Sequence, residues 1–189
     1  SLWVDASNEN AVRKESNNAI REWFDWSGNN NRLMASSNKP TYDTSQYNEK
    51  SVVGFTGDGL KTETSLDVQS IILVHKSEPS WYLIDFRDSF ANSWLYSNSI
   101  GSTWTSVQTN GYDEAIPSPN LIMNSTFKIS YLESDAAGNG QFTLHSRFDE
   151  AELGTGEVAE VLIFNKALTR TEKTDIYYHL TQKWALSDD

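Results

Sequence analysis

Cysteine is absent from the 189-residue chain, which excludes a disulfide scaffold, thiolate zinc sites and cysteine nucleophiles together. The absence does not fix the compartment, because an oxidising exterior permits disulfides without requiring them, and a core of this size can stand without staples. Basic residues are scarce as well. Against 26 Asp and Glu there are 15 Lys and Arg, giving a formal net charge of −11 and a pI near 4.6. A polyanion must be met by clustered cations that displace its counterions, so nucleic acid is excluded as a partner and anionic membrane surfaces are disfavoured. Long apolar runs are missing too. The longest are four residues, Ile71 to Val74 among them, far short of a bilayer span, so no membrane insertion is expected.

Other signals are equally absent. No basic and apolar leader precedes Leu2-Trp3-Val4-Asp5, and the chain is expected to be a monomeric module of a longer protein. His75, His145 and His179 are too far apart in sequence for metal-ligand spacing, and a histidine on a strand reads first as a partly buried structural residue. Neither a Gly-x-Ser-x-Gly elbow nor a phosphate-cradling glycine loop occurs.

What the chain does have is aromatic weight and polar turns. Seven Trp, eight Tyr and eight Phe, within a 38% hydrophobic share, are enough for one sizeable core, so residues 1–189 are expected to form a single domain. Ser, Thr and Asn supply 55 residues, the composition of short strands joined by many turns. Strand character recurs at 51–55, 70–75, 81–86, 93–96, 127–131, 141–145 and 159–164, each run short and bounded by turn formers. This spacing predicts an all-β sandwich of antiparallel sheets rather than βαβ units. The aromatic stretch 19–26 is expected to be extended and buried, and Ser134 to Gly140 is expected to be a plain loop. One helix stands out, from Arg170 to Trp184. Thr169 is its N-cap, Glu172 its capping-box partner, and Ile176, Tyr177, Leu180 and Trp184 form an apolar face expected to dock on the sandwich.

Trp3, Trp23, Trp26, Tyr42, Phe55 and Trp184 are expected core anchors. Gly28, Gly57 and Gly59 are expected to take positive φ, with Asp25 and Asp58 holding turn amides.

The segment Asn165-Lys166-Ala167-Leu168-Thr169-Arg170-Thr171-Glu172, followed by a helix ending Lys183-Trp184-Ala185-Leu186, resembles the C-terminal signature of bacterial laminin G-like domains. These domains belong to the concanavalin A-like lectin/glucanase group. The opening agrees in Leu2-Trp3-Val4-Asp5-Ala6-Ser7, Trp23-Phe24-Asp25-Trp26-Ser27-Gly28-Asn29, Lys39-Pro40-Thr41-Tyr42 and Val52 to Leu60. The resemblance covers residues 1–60 and 141–186, with the middle matching only in rhythm. It implies a jelly-roll sandwich of two antiparallel sheets with a C-terminal helix.

Glucanases of this fold carry acidic residues at alternate positions of one strand, placing nucleophile and acid on one sheet face. Only Asp149-Glu150-Ala151-Glu152 comes near that pattern; it lacks the third carboxylate and adjoins Gly154-Thr155-Gly156, expected to be loop. The chain is therefore expected not to be an enzyme. Its overall character resembles the ligand-binding modules of large bacterial surface adhesins of the repeats-in-toxin type, which implies an extracellular, cell-surface setting and a peptide or carbohydrate partner on another cell. Calcium is the cofactor expected, because it takes six to eight oxygen ligands and the loops are rich in them. Candidate ligands are Asp85, Asp88, Asp113, Glu114, Asp149 and Glu150. Candidate ligand-binding residues are the aromatics Trp94, Trp104 and Tyr112, with Arg87, Arg147 or Lys128 as the positive element that a peptide carboxylate would need. Two alternatives stay open: a carbohydrate-binding or degenerate glucanase domain of a secreted polysaccharide-degrading enzyme, and an inert spacer.

Overall fold

Runs of alternating or wholly apolar residues become strands, and the capped amphipathic run becomes the only α-helix among the described residues. The computed structural model describes residues 1–36, 38–77, 83–86, 95–96, 99–100, 104–109, 126–147, 149–151 and 153–186. In chain order the strands are β1 (Leu2–Asp5), β2 (Val12–Lys14), β3 (Ile20–Trp23), β4 (Leu33–Ala35), β5 (Thr41–Tyr47), β6 (Lys50–Asp58), β7 (Leu60–Thr62) and β8 (Leu66–Ser77). They continue with β9 (Ile84–Asp85), β10 (Leu95–Tyr96), β11 (Ser99–Ile100), β12 (Trp104–Thr109), β13 (Lys128–Gly140), β14 (Thr143–Leu144) and β15 (Gly154–Phe164), and α1 (Arg170–Trp184) follows.

A seven-stranded sheet runs β12-β13-β8-β15-β6-β5, with β1 beside β15, and a six-stranded sheet runs β2-β3-β4-β7-β14-β9. All pairings are antiparallel. Leu2, Val4, Val53, Phe55, Ile71, Leu73, Val161 and Ile163 of the larger sheet share one core with Ile20, Trp23, Leu33, Leu60, Ile84 and Leu144 of the smaller. The protein is thus a mostly β sandwich of two antiparallel sheets. Each fully buried aliphatic or aromatic side chain contributes about 1.5–3 kcal/mol.

The larger sheet is covered on its other face as well. Val52, Ile72, Val74, Ile129, Tyr131 and Ala159 form a second core with Leu168 and with Leu180 and Trp184 of α1. The helix starts at a capping box, in which the Thr169 side chain accepts from Glu172 N (3.3 Å) and Glu172 Oε2 accepts from Thr169 N (2.9 Å). It is held to the sheet by Glu160, a fully buried carboxylate of β15. Trp3 Nε1 (2.7 Å), Trp184 Nε1 (2.8 Å) and Lys183 Nζ (2.7 Å) all donate to it, and Lys183 also donates to Asp5 (2.7 Å). Three segments, β1, β15 and α1, therefore meet on one carboxylate.

Several expectations are corrected. Residues 134–140 are strand rather than loop, because β13 continues through a bulge in which the register against β8 shifts between Glu133 and Gly138. Gly154 to Gly156 open β15, with Gly154 opposite Asp58. Trp23, Tyr42, Phe55 and Trp184 are buried, but Trp3 is 37% and Trp26 49% exposed: Trp3 shares its face of the sheet with Glu160, and Trp26 follows β3 in a loop. Gly28 and Gly57 adopt positive φ (85° and 83°), whereas Gly59 is required by close approach, since a Cβ there would lie 2.5 Å from Ser146 Cβ. Asp25 accepts from the amides of Trp3, Ser27 and Asn31, and Asp58 from that of Thr56, as turn aspartates do.

Candidate functional site

One end of the sandwich interior is basic. Residues paired across antiparallel strands share a sheet face, so Lys128↔His75, Ser130↔Leu73 and Leu132↔Ile71 form inward rows of β13 and β8. Ile71, Leu73 and Leu132 belong to the inter-sheet core, and the same rows carry Ser130, His75 and Lys128 into it. His145 enters from the other sheet. It follows β14 in a left-handed turn (φ 53°) fixed by His145 N donating to Leu83 O and Gly154 N donating to His145 O, both at 2.7 Å. Its ring stacks on Phe55 with centroids 4.4 Å apart.

The polar atoms gathered there are sparsely partnered. His75 Nε2 and Ser130 Oγ are 2.8 Å apart, but neither ring nitrogen of His145 nor Lys128 Nζ has a hydrogen-bond partner among the described residues. All three basic side chains are buried, with Lys128 only 1% exposed. Burial disfavours their charged forms. It lowers His145 to about 3 and Lys128 to about 8, and it takes His75 well below its ordinary value, helped by the nearby Lys128 and His145 charges. Unpaired burial of such groups is costly, and an ammonium without a counter-charge is the most costly of them.

The loop following His145 carries three candidates. Arg147 grips Asp149 through Nε to Oδ1 (2.6 Å) and Nη2 to Oδ2 (2.8 Å), and Asp149 Oδ1 also accepts from Ala151 N (3.2 Å). The guanidinium contact holds the Asp149 carboxyl below its usual range. Glu150 is exposed at positive φ (61°), its amide donating to Arg147 O. Asp85 lies fully buried in β9 opposite Thr143, whose hydroxyl donates to Asp85 O (3.2 Å) or Ser146 O (2.5 Å). Among the described residues no three His, Asp or Glu side chains gather as a metal site. Arg87, Asp88, Trp94, Tyr112, Asp113 and Glu114 lie outside the described residues. Trp104 opens β12 opposite Ser134.

The chain's connectivity links these candidates to the basic end. β12 finishes at Thr109, opposite Ser130, and Lys128 opens β13, so both described ends of the 110–125 connection adjoin the basic cluster. His75 lies near the end of β8, and Leu83, which receives the His145 amide bond, resumes the described chain after it. Sequence reasoning named Lys128 as a possible positive element but treated His75 and His145 as bland. The signal for His75 was available in the period of two that places it on the same face as Ile71 and Leu73.

Among the described residues two cavities lie elsewhere. One of about 400 Å³ is lined by Arg13, Arg21, Glu22 and Lys39, with Arg13 paired to Glu22 (2.7 Å) and Lys39 to Glu15 (2.7 Å). The other, of about 200 Å³, lies between Asp43, Lys76 and Glu157; burial and the neighbouring Glu157 raise the Asp43 carboxyl. In both, the cations are already met by carboxylates. No protein-family model, curated protein or solved structure matches this chain.

Proposed function

We propose that this domain is a non-catalytic ligand-binding module of a bacterial surface adhesin, facing the exterior and recognising a peptide or glycan on a target cell with calcium support. The observation that carries the reading is the basic end of the sandwich, where buried donors without partners adjoin the ends of a long aromatic and acidic connection. Rigid sheets that hold polar groups at the mouth of long loops are a common way to build a recognition site. Calcium enters the proposal through Asp113 and Glu114 of that connection, with Asp85, Asp88, Asp149 and Glu150 as the other candidate ligands. The non-catalytic reading rests on the lack of a run of three alternating carboxylates on any described strand: β13 carries only Glu133-x-Asp135, with Glu133 paired to Lys173, and Glu150 lies in a loop.

Isothermal titration with calcium, followed by thermal unfolding with and without chelator, tests the proposal. A metal bound only by the native state stabilises it by about 2.7 kcal/mol at a hundredfold excess over Kd. The expected result is a calcium-dependent rise in Tm and, with calcium present, binding to members of a peptide and glycan panel. Absence of any calcium response would refute the calcium support, and release of sugars from a polysaccharide would refute the non-catalytic reading.

A further inference from the structure

We infer that the interior cluster of Lys128, His75, Ser130 and His145 is a binding site for a small monoanion, a carboxylate head group or a halide ion. The inference rests on the same basic end that carries the adhesin reading, but it needs neither calcium nor a surface partner.

The argument begins with charge. Lys128 is 1% exposed, its ammonium has no hydrogen-bond or ion-pair partner among the described residues, and two of the described carboxylates of the flanking segments are engaged elsewhere. Glu133 pairs with Lys173 (3.1 Å) and bonds the Tyr131 hydroxyl, and Asp149 is held by Arg147. Ammonium groups in such enclosures need a negative charge. The flanking groups favour the same ligand. Neutral imidazole has one donor nitrogen in either tautomer, so His145 offers an unused N–H whichever nitrogen holds the proton. Ser130 and His75 share a 2.8 Å contact and complete a donor-rich wall. Lys128 and His145 are both close enough to His75 to act on it electrostatically, so the three basic groups form one cluster.

The count of charges then selects the ligand. A cation would be repelled, a neutral ligand would leave the ammonium uncompensated, and a dianion would bring one negative charge more than Lys128 can match. A monoanion balances it.

The test uses the full chain labelled with 13C at the lysine ε carbons, in a chloride-free buffer. Sodium acetate and sodium chloride are titrated separately, with sodium sulfate at matched ionic strength as the dianion control. The Lys128 signal is identified by its loss in Lys128→Met. Acetate or chloride is expected to shift that signal saturably, with Kd on the order of millimolar or tighter, and to raise Tm, while sulfate does neither. Response to acetate assigns the site to carboxylates, and response to chloride alone assigns it to halides. Lys128→Met, which removes an uncompensated charge, is expected to stay folded with a higher Tm in the anion-free buffer and to lose the response. A Lys128 signal that neither anion moves would overturn the inference on the wild-type protein alone. So would an anion-dependent Tm that survives in Lys128→Met. Neither result would bear on calcium binding, and peptide and glycan binding are read by separate titrations, so failure of this inference is distinguishable from failure of the adhesin reading.

Discussion

Acidification from pH 8 to pH 5 is expected to cost the fold about 2 kcal/mol through His145, with His75 adding a loss in the same direction. In the unfolded chain each imidazole titrates near the ordinary value of about 6.5. In the fold, burial lowers His145 to about 3 and takes His75 well below 6.5. Below pH 6.5 the unfolded state therefore binds more protons than the native state. The contribution of each histidine is fully present above that pH and is lost as pH falls toward the folded value. The limiting slope is about 1.4 kcal/mol per pH unit for each group, so the pair removes a measurable part of a typical stability of about 5–15 kcal/mol. Asp43 and Asp58, whose carboxyls are raised by burial, oppose the trend at the lower edge of the window, and Glu15 and Asp149, held low by their cations, reinforce it only at more acid pH. Urea unfolding followed by tryptophan fluorescence at several pH values measures the slope. His145→Asn keeps a residue that tolerates the left-handed turn and removes one titration, so it should lower the slope by up to about 1.4 kcal/mol per pH unit whatever its cost at pH 8. A flat profile between pH 6.5 and 5, or an unchanged slope in His145→Asn, would refute the reasoning.

Two further outcomes concern the scaffold. Glu160→Gln replaces one carboxylate oxygen by an amide nitrogen facing donors from Trp184 and Lys183, and is expected to lower stability by about 3–5 kcal/mol in urea unfolding; a loss below about 1 kcal/mol would mean the helix is held by its apolar face alone. Gly59→Ala puts a Cβ 2.5 Å from Ser146 Cβ and 3.1 Å from Leu144 O, neither of which can swing aside, and should cost about 1–3 kcal/mol. Gly54→Ala meets only the end of the Asp43 side chain and should cost less, so equal losses in thermal melts of the two variants would show that the backbone near Ser146 yields.

The helix was legible to the residue, because its signals are local: Thr169, Glu172 and the apolar stripe act within the segment itself. The strands at β6, β8 and β15 were legible from apolar runs, although their ends were not. The stretch from Ser134 to Gly140 looks like a loop because glycine, alanine and asparagine carry no strand signal, and it is strand because β8 offers it a partner. The basic cluster was hidden for a different reason. At the start of β13, Ile129 and Tyr131, with Phe127 just before the strand, alternate with Lys128 and Ser130, a pattern that normally turns the polar row to water. Here the apolar row goes beneath α1 and the polar row into the sandwich, since both faces of the larger sheet are covered. Alternation reports which residues share a face, but it cannot say which face is the wet one. Trp3 was misplaced similarly, since it lies on the helix side of the sheet as a partner of Glu160 rather than between the sheets.

The pairing of β1 with β15 sets a waiting time. Leu2 lies opposite Ile163 and Asp5 opposite Glu160, so the first strand has no neighbour on its own ladder until more than 150 further residues have been made. At ribosomal speeds that interval is on the order of ten seconds or longer, and through it Leu2 and Val4, both core residues in the finished protein, remain without that partner. Such distant pairings also place the chain among slow folders, on the millisecond-to-second scale, even when the whole chain is present at the start. Whatever shields that strand during synthesis governs how much of the newly made protein reaches the native state rather than aggregating.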